Sequence, residues 1–115
     1  MKSKRLLAAA LEPVMLSLIA EGPKYGYEII QRARKISNGQ IQWSNSQLYP
    51  LLHQLENDKL VEAFWRPSDN GPDRKYYRLT ARGRKALSET RSEWQIMTAV
   101  FARLWGPDFT LDPSL

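Results

Sequence analysis

Hydrophobic and polar positions along the chain fall into segments of clear period, separated by turn-forming residues. Leu7, Leu11, Val14, Leu18 and Ile19 recur at helical spacing, which predicts a first helix over roughly residues 4 to 20. Pro13 interrupts it. Either it bends that helix or it stands in the first turn, with residues 1 to 11 as a separate arm. Gly22-Pro23 ends the helix. "KYGYEIIQRARKI" then predicts a second helix with Tyr27, Ile30 and Ala33 on one stripe, closed by Ser37-Asn38-Gly39. Ile41 and Trp43 belong to a short extended link.

A third helix begins at "SNSQLYPLLHQLEND". Ser44 followed by Gln47 has the spacing of a capping box, in which each side chain satisfies an orphan backbone donor. Leu48, Leu51, Leu52 and Leu55 form an apolar stripe, with Asn45, Gln47, Tyr49 and His53 on the polar side. Pro50 removes a backbone donor unless it lies in the first turn, so the helix is expected to bend or start late. "LVEAFWR" and "RKYYRL" are strand-prone runs flanking "PSDNGPD", a hairpin with a long loop. Thr80 caps a long last helix from Ala81 to about Leu104, which Gly106-Pro107 terminates. Helix, helix, helix, hairpin, helix is the winged helix-turn-helix order, a mainly α (α+β) plan. In it the third helix enters the major groove and the hairpin, or wing, touches the flanking backbone.

Composition sharpens this picture. The 115 residues suffice for one domain, and 43% hydrophobic with 25% charged residues is an ordinary globular balance. A net charge of +5 and a pI near 9.7 favour a polyanionic partner. Arg66, Arg74, Lys75, Arg78, Arg82, Arg84 and Lys85 crowd the hairpin and the start of the last helix, against only Asp69 and Asp73. The chain has no cysteine, which excludes disulfides and thiolate metal sites. His53 is the single histidine, and neither a serine–histidine–acid arrangement nor a nucleotide-binding loop occurs. An enzyme is therefore not expected, nor a metal or other cofactor. Glu12 and Pro13 break up the stretch that resembles a signal peptide, and no apolar run approaches the ~20 residues of a membrane span. The chain reads as cytoplasmic, with no membrane partner.

On the wing strand, Tyr77 and Leu79 should face one way, Tyr76 and Arg78 the other. The second pair, with Arg74 and Lys75 at the end of the loop, can contact phosphates. Such contacts position a protein on DNA without reading its sequence. The plainer alternative is a solvated basic hairpin whose tyrosines cover the core. Asn45, Ser46, Gln47 and Tyr49 stand where a recognition helix meets base edges, with Ser44 beside them as a further DNA-binding candidate, and Asn and Gln suit adenine. Alternatively Ser44 and Gln47 only cap the helix and Tyr49 packs on the wing. Tyr25 and Tyr27 can place a hydroxyl on phosphate, and His53 reads as groove-facing or exposed. On the last helix, Leu87, Trp94 and Phe101 lie seven residues apart with Met97 and Leu104 interleaved, a seam for pairing with another helix. Part of that seam must also cover the domain's own core.

The ordered set "YGYEI" (25–29), "LYPLLHQLE" (48–56), "LVEAFW" (60–65) and "RKYYRLTARGRKAL" (74–87) resembles the PadR family of bacterial transcriptional regulators over about residues 6 to 104. The resemblance implies a winged helix-turn-helix DNA-binding domain over 1–79, whose first helix, through Leu7 and Leu11, shares in a homodimer. It further implies a dimerisation helix over 80–105, of the short single-helix type, and a tail over 106–115. Lys59 stands where the family usually has a turn glycine, His53 and Gln54 where a basic residue is frequent, and Asp73 in a usually more basic wing tip. In some multidrug-sensing relatives a tryptophan fifteen residues after the "LT" leucine stacks planar ligands between subunits. Trp94 has that spacing from Leu79, so a planar aromatic effector at Trp94 and Met97 is the implied ligand. The expected function is a DNA-binding repressor on a near-palindromic operator. The alternatives are a winged-helix protein–protein adaptor and a ligand-binding protein without DNA affinity.

Overall fold

The computed structural model describes residues 2–106. The elements run α1 (Lys4–Ala20), β1 (Lys24–Tyr25), α2 (Gly26–Ile36), α3 (Asn45–Asn57), β2 (Val61–Ser68), β3 (Gly71–Leu79) and α4 (Ala81–Trp105). The strands form one antiparallel sheet in the order β1-β3-β2. This is the expected winged helix-turn-helix, mainly helical with a small sheet. Gly106 caps α4, and the rest of the expected tail, with Pro107, lies outside the described residues.

α1 runs unbroken through Pro13, so the described residues before it form no separate arm. Ser3 starts it by accepting the Leu6 N–H at 3.2 Å. Pro50 likewise lies inside α3, which begins no later than Asn45. Each proline orphans the carbonyl four residues back. Those carbonyls belong to Ala9 and Ser46, both exposed, where water can satisfy them.

The expected second helix loses its first two residues. Lys24 and Tyr25 pair with Tyr77 and Tyr76 of β3 instead, and the helix starts at Gly26. The buried stripe moves with it: Ile29 and Ala33 are in the core, while Tyr27 is 59% exposed. α2 ends on Asn38 at φ 56°, with Gly39 N–H reaching Arg34 O at 2.8 Å and Asn38 N–H reaching Lys35 O at 3.2 Å. This is the Schellman pattern. α3 ends the same way on Lys59, at φ 61°, with Leu60 N–H on Leu55 O at 2.9 Å and Lys59 N–H on Glu56 O at 3.0 Å.

The hairpin is tighter than its composition suggests. Ser68 pairs with Gly71, so only Asp69 and Asn70 connect the strands. Pro67, lacking a donor, falls at the irregularity between Arg66 and Ser68. Met15, Ile19, Ile29, Leu48, Leu52 and Tyr77 bring α1, α2, α3 and the wing into one core. Burying each aliphatic side chain of this kind is worth roughly 1.5–3 kcal/mol.

α4 is joined to that core along α1 and through one corner at its start. Thr80 accepts the Gly83 N–H at 3.0 Å and donates its hydroxyl to Lys59 O at 2.6 Å. Gly83 packs on the Leu60 carbonyl so closely that a Cβ there has no room. Leu87 completes the joint, buried in the chain's own core. It is thus the intramolecular end of the seam read along the last helix.

Candidate nucleic-acid interface

α3 is amphipathic, and its packing decides what it presents. Leu48, Leu52 and Leu55 are buried, leaving Asn45, Ser46, Gln47, Tyr49 and His53 exposed. Ser44 N–H donates to Gln47 Oε1 at 3.0 Å, and the Ser44 and Ser46 hydroxyls lie 2.9 Å apart. The carboxamide oxygen of Gln47 is therefore committed to the cap, which leaves its NH₂ free to point outward as a donor. Tyr49 does not reach out freely either: its hydroxyl lies over Gly26, where an added Cβ would sit 2.5 Å from it. His53 is exposed on the same side of α3 as Tyr49.

The wing has two chemically different faces. The outer face alternates Glu62, Phe64 and Arg66 on β2 against Arg78, Tyr76 and Arg74 on β3. Tyr76 stacks on Phe64 at 5.8 Å and meets the Tyr25 ring edge-on at 5.3 Å. Guanidinium groups lie over these rings: Arg74 over Tyr25 at 4.6 Å, Arg66 over Tyr76 at 4.7 Å and Arg78 over Phe64 at 4.6 Å. Arginine held over an aromatic face keeps its N–H edge available while losing rotamer freedom. Arg78 also donates to Glu62 Oε1 at 2.7 Å.

The inner face carries Val61, Ala63 and Trp65 against Leu79, Tyr77 and Lys75. Tyr77 and Leu79 are buried there, as their alternation with Tyr76 and Arg78 predicts. Burial pushes the Tyr77 phenol above its ordinary pKa, an effect that Lys75 nearby opposes. The two cations at the end of the loop are thus separated: Arg74 joins the outer face, whereas Lys75 reaches α3, its Nζ 3.5 Å from Glu56 Oε1.

The β1 strand explains how Tyr25 comes to the wing. Lys24 donates to Leu18 O at 2.7 Å and pairs with Glu21 at 3.3 Å, fixing the chain as it leaves α1. Arg32, first, and Lys24 hold the Glu21 carboxyl below its ordinary pKa. Sequence reading missed Phe64 and Arg66 as parts of this surface. Their register opposite Tyr76 and Arg74 was the available signal, once the loop is shortened to two residues.

The remaining expected residues lie apart. Leu7 and Leu11 are half-buried on α1. On α4, Trp94 is 36% exposed, Met97 45% and Leu104 73%, and Phe101 stacks on Trp105 at 4.6 Å. Trp94 borders an apolar groove of about 450 Å³ between α1 and α4, which also touches Pro13, Val14, Ile36 and Leu87; Met97 does not line it. Among the described residues no cluster of three or more His, Cys, Asp or Glu suits a metal ion, and no helix is long and apolar enough to cross a membrane.

The family model for the "Transcriptional regulator PadR-like family" matches residues 15–89, from within α1 to the first turns of α4. The chain belongs to the PadR-like family. It is a transcriptional regulator, as members of that family are, rather than an enzyme. An uncharacterized protein of Lysinibacillus sphaericus is 36% identical over 89 residues, 77% of this chain and 82% of that one. A PadR-like transcriptional regulator from Bacillus cereus superposes with a TM-score of 0.79 at 30% identity, covering 91% of this chain and 100% of its own. PadR of Bacillus subtilis, solved in complex with operator DNA, has a TM-score of 0.62 at 24% identity over 69% of this chain and 45% of its own.

Proposed function

We propose that this PadR-like regulator is a homodimeric repressor of double-stranded DNA, bound to a near-palindromic operator in the cytoplasm. α3 enters the major groove, where Asn45, Ser46, Gln47 and Tyr49 meet base edges and His53 lines the groove. Tyr25, Arg74, Lys75, Tyr76 and Arg78 serve the flanking phosphates. The observation that carries this reading is the uncovered polar face of α3 beside a wing whose arginines are held over aromatic rings. Its support from outside the chain is the fold shared with Bacillus subtilis PadR, which was solved with operator DNA.

Dimerisation is proposed through α4, with α1 contributing Leu7 and Leu11. The Cα radius of gyration is 15.7 Å, against about 13 Å for a compact chain of this length. The excess reflects a helix that reaches past its own core: beyond Leu87, no residue of α4 is buried. Trp94, Ile96, Met97, Val100, Leu104 and Trp105 are all exposed there. At about 100° per residue they span roughly half the helix circumference, more than one neighbouring helix covers. A second copy, offering both α1 and α4, would cover it. The groove at Trp94 falls within the size range of small-molecule sites; Trp94 on its rim, with Met97 one turn further along α4 and outside the groove, is the proposed contact for a planar aromatic effector. Such a ligand relieves repression only by favouring one dimer geometry over another.

The test is fluorescence anisotropy with duplex DNA across a salt series, run beside sedimentation of the same samples. Dimers whose affinity falls steeply with salt are expected. A chain that stays monomeric at high concentration and ignores duplex DNA would instead act as an adaptor.

A further inference from the structure

Gln47 is the third residue of α3 and exposed, and the two ends of its carboxamide face different ways. Its Oε1 is turned back on the start of its own helix, accepting the Ser44 N–H at 3.0 Å with the Ser44 hydroxyl 3.3 Å away. Its Nε2 donates to nothing among the described residues. The side chains lining the adjoining cleft toward α1 include Lys4, Gln42 and Trp43, and no carboxylate. Gln47 therefore offers a base two N–H donors and no acceptor.

We infer that Gln47 reads guanine, not the adenine that a glutamine with both amide ends free would suit. In the major groove guanine presents two acceptors, O6 and N7, side by side. Adenine presents one acceptor beside an amino donor, thymine one acceptor beside a methyl group, and cytosine only a donor. To pair with adenine through two bonds, Gln47 must lift its oxygen off Ser44. That exchange gains one bond and loses another, and it strands a backbone donor at the start of α3. Guanine takes both N–H groups with the cap intact. The difference is about one hydrogen bond net, roughly threefold to tenfold in affinity. Lys4, exposed and without a carboxylate partner among the described residues, adds positive charge on the same side, which favours the same acceptor-rich edge. The side chain that caps the recognition helix thus also fixes the hydrogen-bond polarity at one position of each half-site. This rests on the DNA-binding reading above.

The test is selection of bound duplexes by the full-length chain and by its Gln47→Glu variant. The pool is randomised over about 30 base pairs, room for two half-sites one helical turn apart. Glutamate keeps the acceptor that the Ser44 N–H needs, as in other capping boxes, but puts an oxygen where the NH₂ was. The two chains are therefore expected to melt within a few degrees of each other. The parent is expected to enrich guanine at one position of each half-site. Gln47→Glu is expected to enrich cytosine there, whose amino group donates to a carboxylate, with the rest of the selected sequence unchanged. Anisotropy on the parent's selected duplex, with that guanine replaced by adenine, should show a loss of roughly threefold to tenfold for the parent and none for Gln47→Glu. If the variant selects the same sequence as the parent, Gln47 only caps its helix; the inference is then wrong and the DNA-binding reading stands. Adenine as the parent's choice at the position the variant changes would also overturn it, because the cap must then open on binding. If the parent enriches no sequence and binds no duplex at any salt, both fall together.

Discussion

Arg78 and Glu62 face each other across the β2–β3 ladder, Nε to Oε1 at 2.7 Å. The cations of the wing thus have counter-ions within the chain, since Lys75 is likewise held by Glu56 of α3 at 3.5 Å. A phosphate approaching either cation competes with a carboxylate already in place. Both pairs are substantially exposed, so each is worth at most about 1 kcal/mol. Replacing Glu62 or Glu56 by Gln is expected to raise duplex affinity up to about fivefold at low ionic strength, with the gain fading as salt rises. Anisotropy titrations check this; a weaker complex would mean that the carboxylates position the cations rather than mask them.

Lys59 occupies a left-handed conformation at φ 61°, where the closing turn of α3 favours glycine. A side chain in that region costs roughly 1–2 kcal/mol, part of which glycine gives back through its freer unfolded state. Lys59→Gly is therefore expected to stabilise the fold by about 0.5–1 kcal/mol, a rise of a few degrees in Tm. Thermal melts followed by circular dichroism decide it. An unchanged or lower Tm would show that the Lys59 side chain contributes more than its backbone costs.

Gly83 offers the opposite case. A Cβ there runs into the Leu60 carbonyl, a backbone atom that cannot swing aside. Gly83→Ala is expected to cost about 2–3 kcal/mol, as overpacking does, despite the better helix propensity of alanine. Gly71→Ala, whose new methyl group would meet only the Ser68 hydroxyl at 3.7 Å, serves as the control and should fall within about 0.5 kcal/mol of the parent. Urea denaturation of the two variants measures the difference.

Tyr77 sets the alkaline limit. Burial raises its phenol pKa in the folded chain, so the folded state holds that proton more tightly than the unfolded state. The linked stability is complete below the unfolded value, about 10, and is lost as pH rises through the higher folded value. Denaturation midpoints should fall above about pH 10 for the parent and much less for Tyr77→Phe. Equal slopes for the two chains would remove Tyr77 from the account.

Much of this was legible in the residues because local signals and the fold agree. The leucine stripe of α3, the Ser44–Gln47 pair and Thr80 each act within one helical turn, so their spacing alone is informative. What escaped reading depends on partners far along the chain. Lys24 and Tyr25 carry no strand signal of their own; β3, some fifty residues later, recruits them. The seven-residue turn-rich stretch became a two-residue connection because ladder pairing extends past Pro67 and Pro72 to Ser68 and Gly71. Lys75 parted from Arg74 for the same reason, as strand alternation sends neighbours to opposite faces.

The corner formed by Thr80 and Gly83 against Lys59 and Leu60 is also a fulcrum. α4 spans 25 residues, a lever arm of about 37 Å, and its short end is bolted to the turn that closes α3. A tilt of about 10° at that corner displaces the far end by about 6 Å over such a length. Conversely, a push at the far end is returned to α3 as rotation with little slack, because a helix without a hinge bends poorly along its length.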